Sequence, residues 1–318
     1  MRFPHIKRSK SLLTAVCLVL SGVMLTLSAM TGCTPEEVDE WLELVFGRNN
    51  YQTIGDTLEG EAHLKMHVID IGQGDATLIQ CGDKNVLIDC GENGMGETVL
   101  DYLNRIRVTH LDWLIGTHPH SDHIGGMDTV IKSDLTIDNM MMPQTSEEMT
   151  PTTRTYTEVL EAAKKKKLKI TRPTPGKEYD LDDVTMLVLS PAKKAKYTDL
   201  NDYSIVLKFT YGDISILTCG DATKTVERQL ITLDYDLSAQ IYKVSHHGGK
   251  ESNTEAFLAE VNPTYCAISC GRDNPYGHPK EVVLERLANI GCQVNRTDVD
   301  GDLLYETDGK NIAVTFSK

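Results

Sequence analysis

One short stretch of the chain concentrates side chains that bind metals. Residues 117–126 read THPHSDHIGG, so His118, His120, Asp122 and His123 lie within six positions. The apolar run 111–116 before them is typical of a buried strand. Loops at strand ends are where α/β proteins place chemistry, and imidazole with carboxylate suits zinc, manganese or iron. A polar capping loop has no need of four such residues, so the stretch predicts part of a metal site.

Two strand ends later in the chain offer further ligands. One apolar run stops at Asp221 and another stops at His246 and His247. Asp221 alone could be a turn residue after Gly, but a pair of adjacent histidines at a strand end favours a metal site. The residues leave open which histidine is the ligand, and we favour His246 because it is nearer the strand. His278 precedes a helix, where capping, substrate contact and ligation are equally consistent with its position.

The N-terminus has the pattern of an export signal. Four basic residues precede an apolar run, 12–30, that ends shortly before Cys33. This predicts a signal peptide over 1–32, similar to those of bacterial lipoproteins, with cleavage before Cys33 and lipidation of that cysteine. An uncleaved leader that anchors the chain is the alternative. Either way we expect residues 33–62 to form a tether and 63–318 a folded domain, exported and held at the outer face of a bacterial cell membrane.

Charge argues against a broadly basic binding surface. The chain has 32 basic and 46 acidic residues, and residues 1–32 hold four basic and no acidic ones. The remainder therefore has a net charge of −18, which repels polyanions at long range. A nucleic-acid site would need a local basic patch or metals. Four lysines at 164–167 end a predicted helix, where favourable helix-end charge is a simpler interpretation than phosphate steering.

The hydrophobic pattern predicts an α/β fold of two packed mixed sheets with helices outside. Strands and helices alternate in two halves of similar size without an intervening linker, so we expect one domain with the site at the junction of the halves. The predicted strands are 65–70, 76–81, 85–89, 111–116, 138–142, 184–189, 204–211, 214–219, 240–245, 264–269, 303–306 and 312–316. The predicted helices are 97–107, 122–132, 156–167, 223–233, 254–260 and 280–290.

Several motifs in order resemble one family. They are DIGQGD at 70–75, LID at 87–89, THPHSDH at 117–123, LSP at 189–191, NDYS at 201–204, CGD at 219–221, SHHG at 245–248, YGHP at 276–279 and TDVDG at 297–301. The chain resembles the metallo-β-lactamase superfamily and, within it, the exported hydrolase domain of ComEC-type competence proteins, which take up DNA. The resemblance implies an αββα sandwich with a binuclear site of zinc or manganese between the sheets.

The same resemblance implies a ligand set. His118 and His120 would hold one divalent metal with a histidine of the 246/247 pair, Asp122 and His123 would hold the second, and Asp221 would bridge them. Many superfamily members have another histidine ligand between the first loop and the bridging aspartate. No histidine lies between His123 and His246 here, so one metal has a lighter shell, or water fills it, or a single metal binds.

The related domain acts on phosphodiesters of nucleic acid, which implies in-line attack by a metal-bridging hydroxide. Asp122 would orient that nucleophile, and His278 or His247 would protonate the leaving oxygen or hold a phosphate oxygen. Asp75 and Asp89 would orient metal ligands, unless they are simple turn residues. Two other readings stay open: hydrolysis of another envelope substrate, such as a phosphocholine ester or a lactone, and a non-catalytic surface binding protein. The oligomeric state is not predicted.

Overall fold

The computed structural model describes residues 52–233 and 235–317. The predicted signal peptide and the predicted lipidation site, Cys33, lie outside these residues. Within the described part, no helix is both long enough and apolar enough to cross a bilayer.

Two sheets form the centre of the domain. The first has nine strands, in the spatial order β1-β16-β15-β2-β3-β4-β5-β6-β7, and the second has seven, in the order β14-β13-β12-β11-β10-β9-β8. The strands of the first sheet are β1 (Gln52–Gly55), β2 (Leu64–Val68), β3 (Thr77–Cys81), β4 (Lys84–Ile88), β5 (His110–Ile115), β6 (Thr136–Met141), β7 (Ile170–Thr171), β15 (Leu303–Thr307) and β16 (Ile312–Phe316). Those of the second are β8 (Glu178–Leu181), β9 (Val184–Ser190), β10 (Val206–Tyr211), β11 (Ile214–Thr218), β12 (Ile241–Lys243), β13 (Tyr265–Ile268) and β14 (Gln293–Arg296).

Helices cover the outer face of each sheet. Those that follow strands of the first sheet are α1 (Gly96–Arg105), the single turn α2 (Ser121–Ile124), α3 (Met127–Lys132) and α4 (Arg154–Lys165). Those of the second half are α5 (Lys224–Thr232), α6 (Glu255–Val261), α7 (Glu281–Asn289) and the single turn α8 (Thr297–Asp300). Short 3₁₀ turns occupy Glu147–Met149, Asn201–Tyr203 and Ser245–Gly248.

Side-chain alternation along the strands explains the layering. Successive side chains of a strand point to opposite faces. In β3, Ile79 packs between the two sheets whereas its neighbour Leu78 packs under the helices of the first sheet. In the second sheet, Ile216 faces the other sheet and Leu217 faces α5 and α6. Three apolar layers result, which confirms the predicted αββα sandwich.

Parallel pairing brings the functional strand ends together. In the first sheet β4, β5 and β6 run parallel, and in the second sheet β11, β12, β13 and β14 run parallel. The carboxyl ends of these strands therefore lie at one edge of each sheet. Asp89 follows β4, the 117–126 loop follows β5, Asp221 follows β11, and the histidine pair follows β12.

The structure corrects several element boundaries. The first sheet begins at Gln52, inside the predicted tether 33–62, because the mostly polar strand β1 pairs with β16. Four strands, β1, β7, β8 and β14, were not predicted; they are short or lie at sheet edges, where an apolar pattern is weak. The predicted helix 122–132 divides into α2 and α3 at Gly125 and Gly126.

Truncation of the layer between the sheets should destabilise the whole domain. Ile216 has no exposed surface there, so Ile216→Ala is expected to lower the free energy of unfolding by about 2–5 kcal/mol. Urea denaturation measures the change. Val299→Ala, at a side chain that is 54% exposed, is the matched control and should change stability by less than about 0.5 kcal/mol. Equal losses in both variants would contradict the layering.

Candidate metal centre

Neighbouring loops clamp the 117–126 loop by its backbone. The amide of Asp75 donates to the carbonyl of Asp122 over 3.0 Å, and the amide of Cys90 donates to the carbonyl of His123 over 2.7 Å. Gly74 lies against the carbonyl of Asp122. A Cβ on Gly74 would come within 2.2 Å of that carbonyl oxygen, and the φ of Gly74 is +118°. Only glycine fits this position, so the motif at 70–75 fixes the backbone that carries Asp122.

The histidine pair adopts a strained backbone. His246 and His247 have φ values of 53° and 52°, a left-handed conformation that costs roughly 1–2 kcal/mol per residue. Ser245 stabilises it, because its hydroxyl donates to the carbonyls of Gly220 and Ala222. Asn253 adds a hydrogen bond to the Ser245 carbonyl. The two rings consequently fan out, with centroids 6.3 Å apart and planes at 71°.

Four buried or half-buried side chains converge on one point. Asp122, His123, Asp221 and His247 each offer a ligand atom, and these atoms all lie within 4.8 Å of one another. The Asp221 Oδ1 atom is 3.1 Å from His123 Nε2 and 3.6 Å from His247 Nε2. The Asp122 Oδ2 atom is 3.4 Å from His247 Nε2. The side chain of His247 is almost fully buried.

Hydrogen bonds on the far side of each ring decide which nitrogen points inward as a lone pair. His247 Nδ1 must donate its proton to the carbonyl of Ser269, 2.9 Å away, and His123 Nδ1 donates to Asp89 Oδ2 over 2.7 Å. The Nε2 atoms of both rings then face Asp221 Oδ1, and none of these three buried atoms has a hydrogen-bond partner. Burial lowers the pKa of each ring, but Asp221 outweighs it and raises the pKa of both His123 and His247 above the ordinary value, so a positive charge is favoured between these nitrogens and the carboxylate. Converging lone pairs of this kind repel one another unless a cation lies between them, so the donor set fits a divalent metal.

The second oxygen of Asp221 faces a second set of imidazoles. Its Oδ2 atom is 3.9 Å from His118 Nε2 and 3.7 Å from His246 Nε2. His120 adjoins this set, because its Nδ1 atom is 3.0 Å from His118 Nε2. The carboxylate of Asp221 thus lies between two groups of histidines, one on each oxygen.

The charge states suit cation binding. Burial opposes ionisation of Asp221, but His123 and His247 hold the pKa of its carboxyl well below the ordinary value. Burial, and after it the neighbouring His123, lowers the pKa of His118 well below its ordinary value. Asp221 is therefore an anion and His118 a neutral lone-pair donor at neutral pH.

Comparison with protein families settles the relationship. Residues 69–272, more than half of the chain, match the model of the metallo-beta-lactamase superfamily. The chain belongs to the metallo-β-lactamase superfamily. The resemblance to competence proteins is confirmed as well: ComE operon protein 3 of Bacillus subtilis is 31% identical over 281 residues, which cover 81% of this chain and 34% of that protein.

Other superfamily relatives give the same result. Competence protein ComA of Neisseria gonorrhoeae is 30% identical over 75% of this chain and 31% of its own length. The chain thus spans about a third of the length of these relatives. Among solved structures, the metallo-β-lactamase fold protein YhfI of Bacillus subtilis covers 76% of this chain and 99% of its own, with a TM-score of 0.50 and 14% sequence identity. This likeness concerns the fold alone.

Asp89 and Asp75 lie directly behind the 117–126 loop. Asp89 accepts hydrogen bonds from the amide and hydroxyl of Thr117 and from His123. Asp75 forms a buried ion pair with Lys243, with Nζ and Oδ1 2.7 Å apart, and the same Oδ1 is 3.8 Å from His247 Nδ1. Asp89 thus contacts an imidazole directly, and Asp75 lies near another; the predicted role of both carboxylates in orienting metal ligands stays a prediction.

His278 lies at the rim of the centre. Its ring stacks on His247 with centroids 6.2 Å apart and on Tyr276 with centroids 5.7 Å apart. Burial, and then the neighbouring His247 and His246, lowers the pKa of His278 to about 4. The ring is therefore neutral at neutral pH, which favours contact with a substrate oxygen over proton donation, the two roles that the sequence leaves open.

The structure brings the predicted metal-ligand candidates close together around Asp221. It differs from the sequence prediction in which histidine of the 246/247 pair lies in the tight group. The sequence favoured His246 as the ligand, whereas the tight four-residue group contains His247. Sequence reasoning also missed three supporting residues. Ser269 accepts a hydrogen bond from His247, Asn253 donates one to the Ser245 carbonyl, and Lys243 pairs with Asp75. Lys243 alone carried a signal, since a lysine at the end of an apolar strand must find a buried partner.

Removal of the Asp89 charge should weaken metal binding. In Asp89→Asn the amide cannot accept the His123 proton as strongly, so the ring loses its fixed tautomer, and metal affinity should fall about 10–100-fold. Competition with a fluorescent chelator measures it. Asp112→Asn is the control, because Asp112 is also buried but lies in the amino-terminal half of β5, whereas the 117–126 loop follows the carboxyl end of that strand. A similar loss of affinity in both variants would show that general destabilisation is responsible.

Proposed function

We propose that this protein is a metal-dependent phosphodiesterase that cleaves nucleic acid. The observation that carries the proposal is the buried Asp221 carboxylate, with histidine nitrogens facing each of its two oxygens. This geometry supports a centre for two divalent ions, zinc or manganese, that share one carboxylate. The superfamily relationship supports hydrolysis as the reaction type.

The two oxygens of Asp221 suggest how the ligands divide. Asp122, His123 and His247, which gather around Asp221 Oδ1, would hold one metal. His118, His120 and His246, on the side of Asp221 Oδ2, would hold the other. In this arrangement the histidine pair serves both metals, and His246 takes the place of the histidine that is absent between the first loop and Asp221. The strained, fanned backbone of the pair is what allows two adjacent side chains to serve different metals.

The chemistry follows from these positions. Two bound divalent ions acidify water and stabilise the charge on the attacking and leaving oxygens of an in-line displacement. Asp122 is partly exposed beside His247, where its carboxylate can accept a hydrogen bond from the attacking water and orient it. His278, at the rim, can contact a phosphate oxygen of the substrate. The name of one relative, a competence protein, supports nucleic acid as the substrate by analogy.

Metal content and activity test the assignment together. The full chain loaded with manganese or zinc should hold about two ions by mass spectrometry and hydrolyse bis-p-nitrophenyl phosphate and DNA. His246→Ala and His247→Ala should each lose about one ion and most activity, and His118→Ala and Asp221→Ala should abolish turnover, because each removes an assigned ligand. His63→Ala, at the opposite edge of the first sheet, is the control and should change neither property.

Three results would each overturn part of the proposal. A metal-loaded wild type that hydrolyses no phosphodiester contradicts the enzyme assignment. Hydrolysis of the small diester without cleavage of single- or double-stranded DNA or of RNA removes the nuclease assignment, and a panel of phosphocholine esters and lactones would then be tried. Loss of the same ion in both the His246 and His247 variants contradicts the division of ligands.

We further propose that the protein is exported and tethered to the outer face of a bacterial cell membrane, through a lipid on Cys33 or an uncleaved leader. The basic and apolar pattern before Cys33 supports this. Labelled palmitate should be incorporated into the wild type but not into Cys33→Ser, because the lipid needs that thiol. Cys17→Ser, within the leader, is the control. Unlabelled protein that still sediments with membranes favours the uncleaved leader, and protein recovered wholly in the soluble fraction contradicts the tether.

A further inference from the structure

The strand order of the second sheet places the metal centre between two other features. β9 runs parallel to β11, because both are antiparallel to β10. The carboxyl ends of β13, β12, β11 and β9 therefore follow one another along one edge. β13 leads into the loop with Tyr276, β12 and β11 lead into the metal ligands, and β9 leads into a basic loop at 193–196.

The basic loop lines a cavity of about 600 Å³ beside the metal centre. Tyr203, on the cavity wall, accepts hydrogen bonds at its hydroxyl from the amides of Ser146 and Tyr197. The next residue, Ser204, accepts a hydrogen bond from the amide of Asp221 over 3.1 Å. Tyr203 thus lines the cavity, and its neighbour in the chain, Ser204, contacts the backbone of Asp221.

The cavity differs in charge from the rest of the molecule. Four cationic side chains line it, those of Arg172, Lys193, Lys194 and Lys196, against two carboxylates, Glu147 and Glu148. In a chain with a net charge of −14, this is a local excess of positive charge. Over residues 52–233 and 235–317, the three lysines form no ion pair, so their charges are available to an anionic ligand.

The feature on the other side of the metal centre is an exposed aromatic ring. The side chain of Tyr276 is 54% exposed. Among the residues with described side chains, it is the only Phe, Trp or Tyr with more than about a third of its surface exposed to solvent. The ring of Tyr276 stacks on His278, which in turn stacks on His247. A planar aromatic face is therefore presented to solvent next to the candidate metal ligands. An exposed aromatic face and a basic surface along one path are the combination that binds unpaired nucleotides.

We propose that a single strand of nucleic acid lies along this edge, with phosphates on one side of the cleavage point in the basic cavity and a base on the other side stacked on Tyr276. This inference rests on the proposed function. From β13 to β9 there are four strand spacings, about 19 Å in all. That length equals about five or six nucleotides at a stacked spacing of about 3.4 Å, so a strand of about six nucleotides fills the path.

Binding of phosphorothioate oligothymidylates of three, six and twelve nucleotides to the metal-loaded full chain tests the path, with fluorescence anisotropy as the readout. Affinity should rise steeply from three to six nucleotides and little thereafter. Lys193→Gln/Lys194→Gln/Lys196→Gln should weaken hexamer binding at least tenfold and reduce the slope of log affinity against log salt by about 2, since each lost phosphate contact contributes about 0.7. Tyr276→Ala should weaken binding about tenfold, whereas Tyr276→Phe keeps the stacking face and the affinity.

Two matched variants separate this path from general charge effects. Lys164→Gln/Lys165→Gln/Lys169→Gln removes the same charge near the end of α4. These lysines lie next to the amino end of β7 in the first sheet, opposite the strand ends that lead to the metal centre, so hexamer affinity should be unchanged. Glu147→Gln/Glu148→Gln should tighten binding, an outcome that misfolding cannot imitate. Equal losses in the two lysine variants, or no tightening in the glutamate variant, overturn the basic half of the path, and wild-type affinity in Tyr276→Ala overturns the aromatic half.

Hydrolysis of bis-p-nitrophenyl phosphate by the same preparations distinguishes failure of the path from failure of the enzyme. If the wild type cleaves this small diester but the substitutions do not change oligonucleotide affinity as expected, the path is wrong and the phosphodiesterase stands. If the wild type binds oligonucleotides with the expected pattern but cleaves no diester, the path is supported as a binding surface and the proposed function fails.

Discussion

The buried carboxylate of Asp221 is the interaction on which the rest of the site depends. It is almost fully removed from water, and an isolated carboxylate in that position would be neutral or would destabilise the fold. Histidine nitrogens face both of its oxygens, and two of those rings have their tautomer set by acceptors behind them. A cation completes such an arrangement, because it neutralises the carboxylate and accepts the lone pairs that otherwise repel. The donor geometry thus points to metal binding independently of the family relationship.

The fold has to deliver these groups from four separate strand ends, and parallel pairing does so. The ends of β4 and β5 in one sheet and of β11 and β12 in the other meet between the sheets, and rigid strands limit the freedom of the loops that follow. Where a loop adopts an unfavourable backbone conformation, hydrogen bonds from neighbouring side chains stabilise it. The left-handed backbone of His246 and His247 is stabilised by Ser245 and Asn253, and strain of this kind is typical of functional sites.

The same edge also addresses an electrostatic difficulty. A chain with a strong acidic excess is a poor partner for a polyanion, yet the cavity beside the metal centre has more cationic than anionic side chains. Long-range repulsion slows association of a polyanion with this chain. It does not prevent binding in the cavity, because salt screens charges that lie more than about 10 Å away. A basic cavity, a metal centre and an exposed aromatic in one line would give an extended substrate a defined position despite the overall charge.

The sequence by itself determined the fold class, the strand ends that carry chemistry, and nearly all of the candidate ligands. This was possible because strand and helix periodicity is local and because THPHSDH, CGD and SHHG are contiguous in the chain. It did not reveal β1 or β14, whose pairing partners are distant or whose pattern is weak. Only the tertiary structure showed that His247 joins Asp122 and His123 while His246 faces the other oxygen of Asp221. That division depends on two backbone angles and on the hydrogen bond from His247 to the carbonyl of Ser269, which follows a different strand, β13. It is a property of packing between the sheets, and neither histidine differs from the other in residue type.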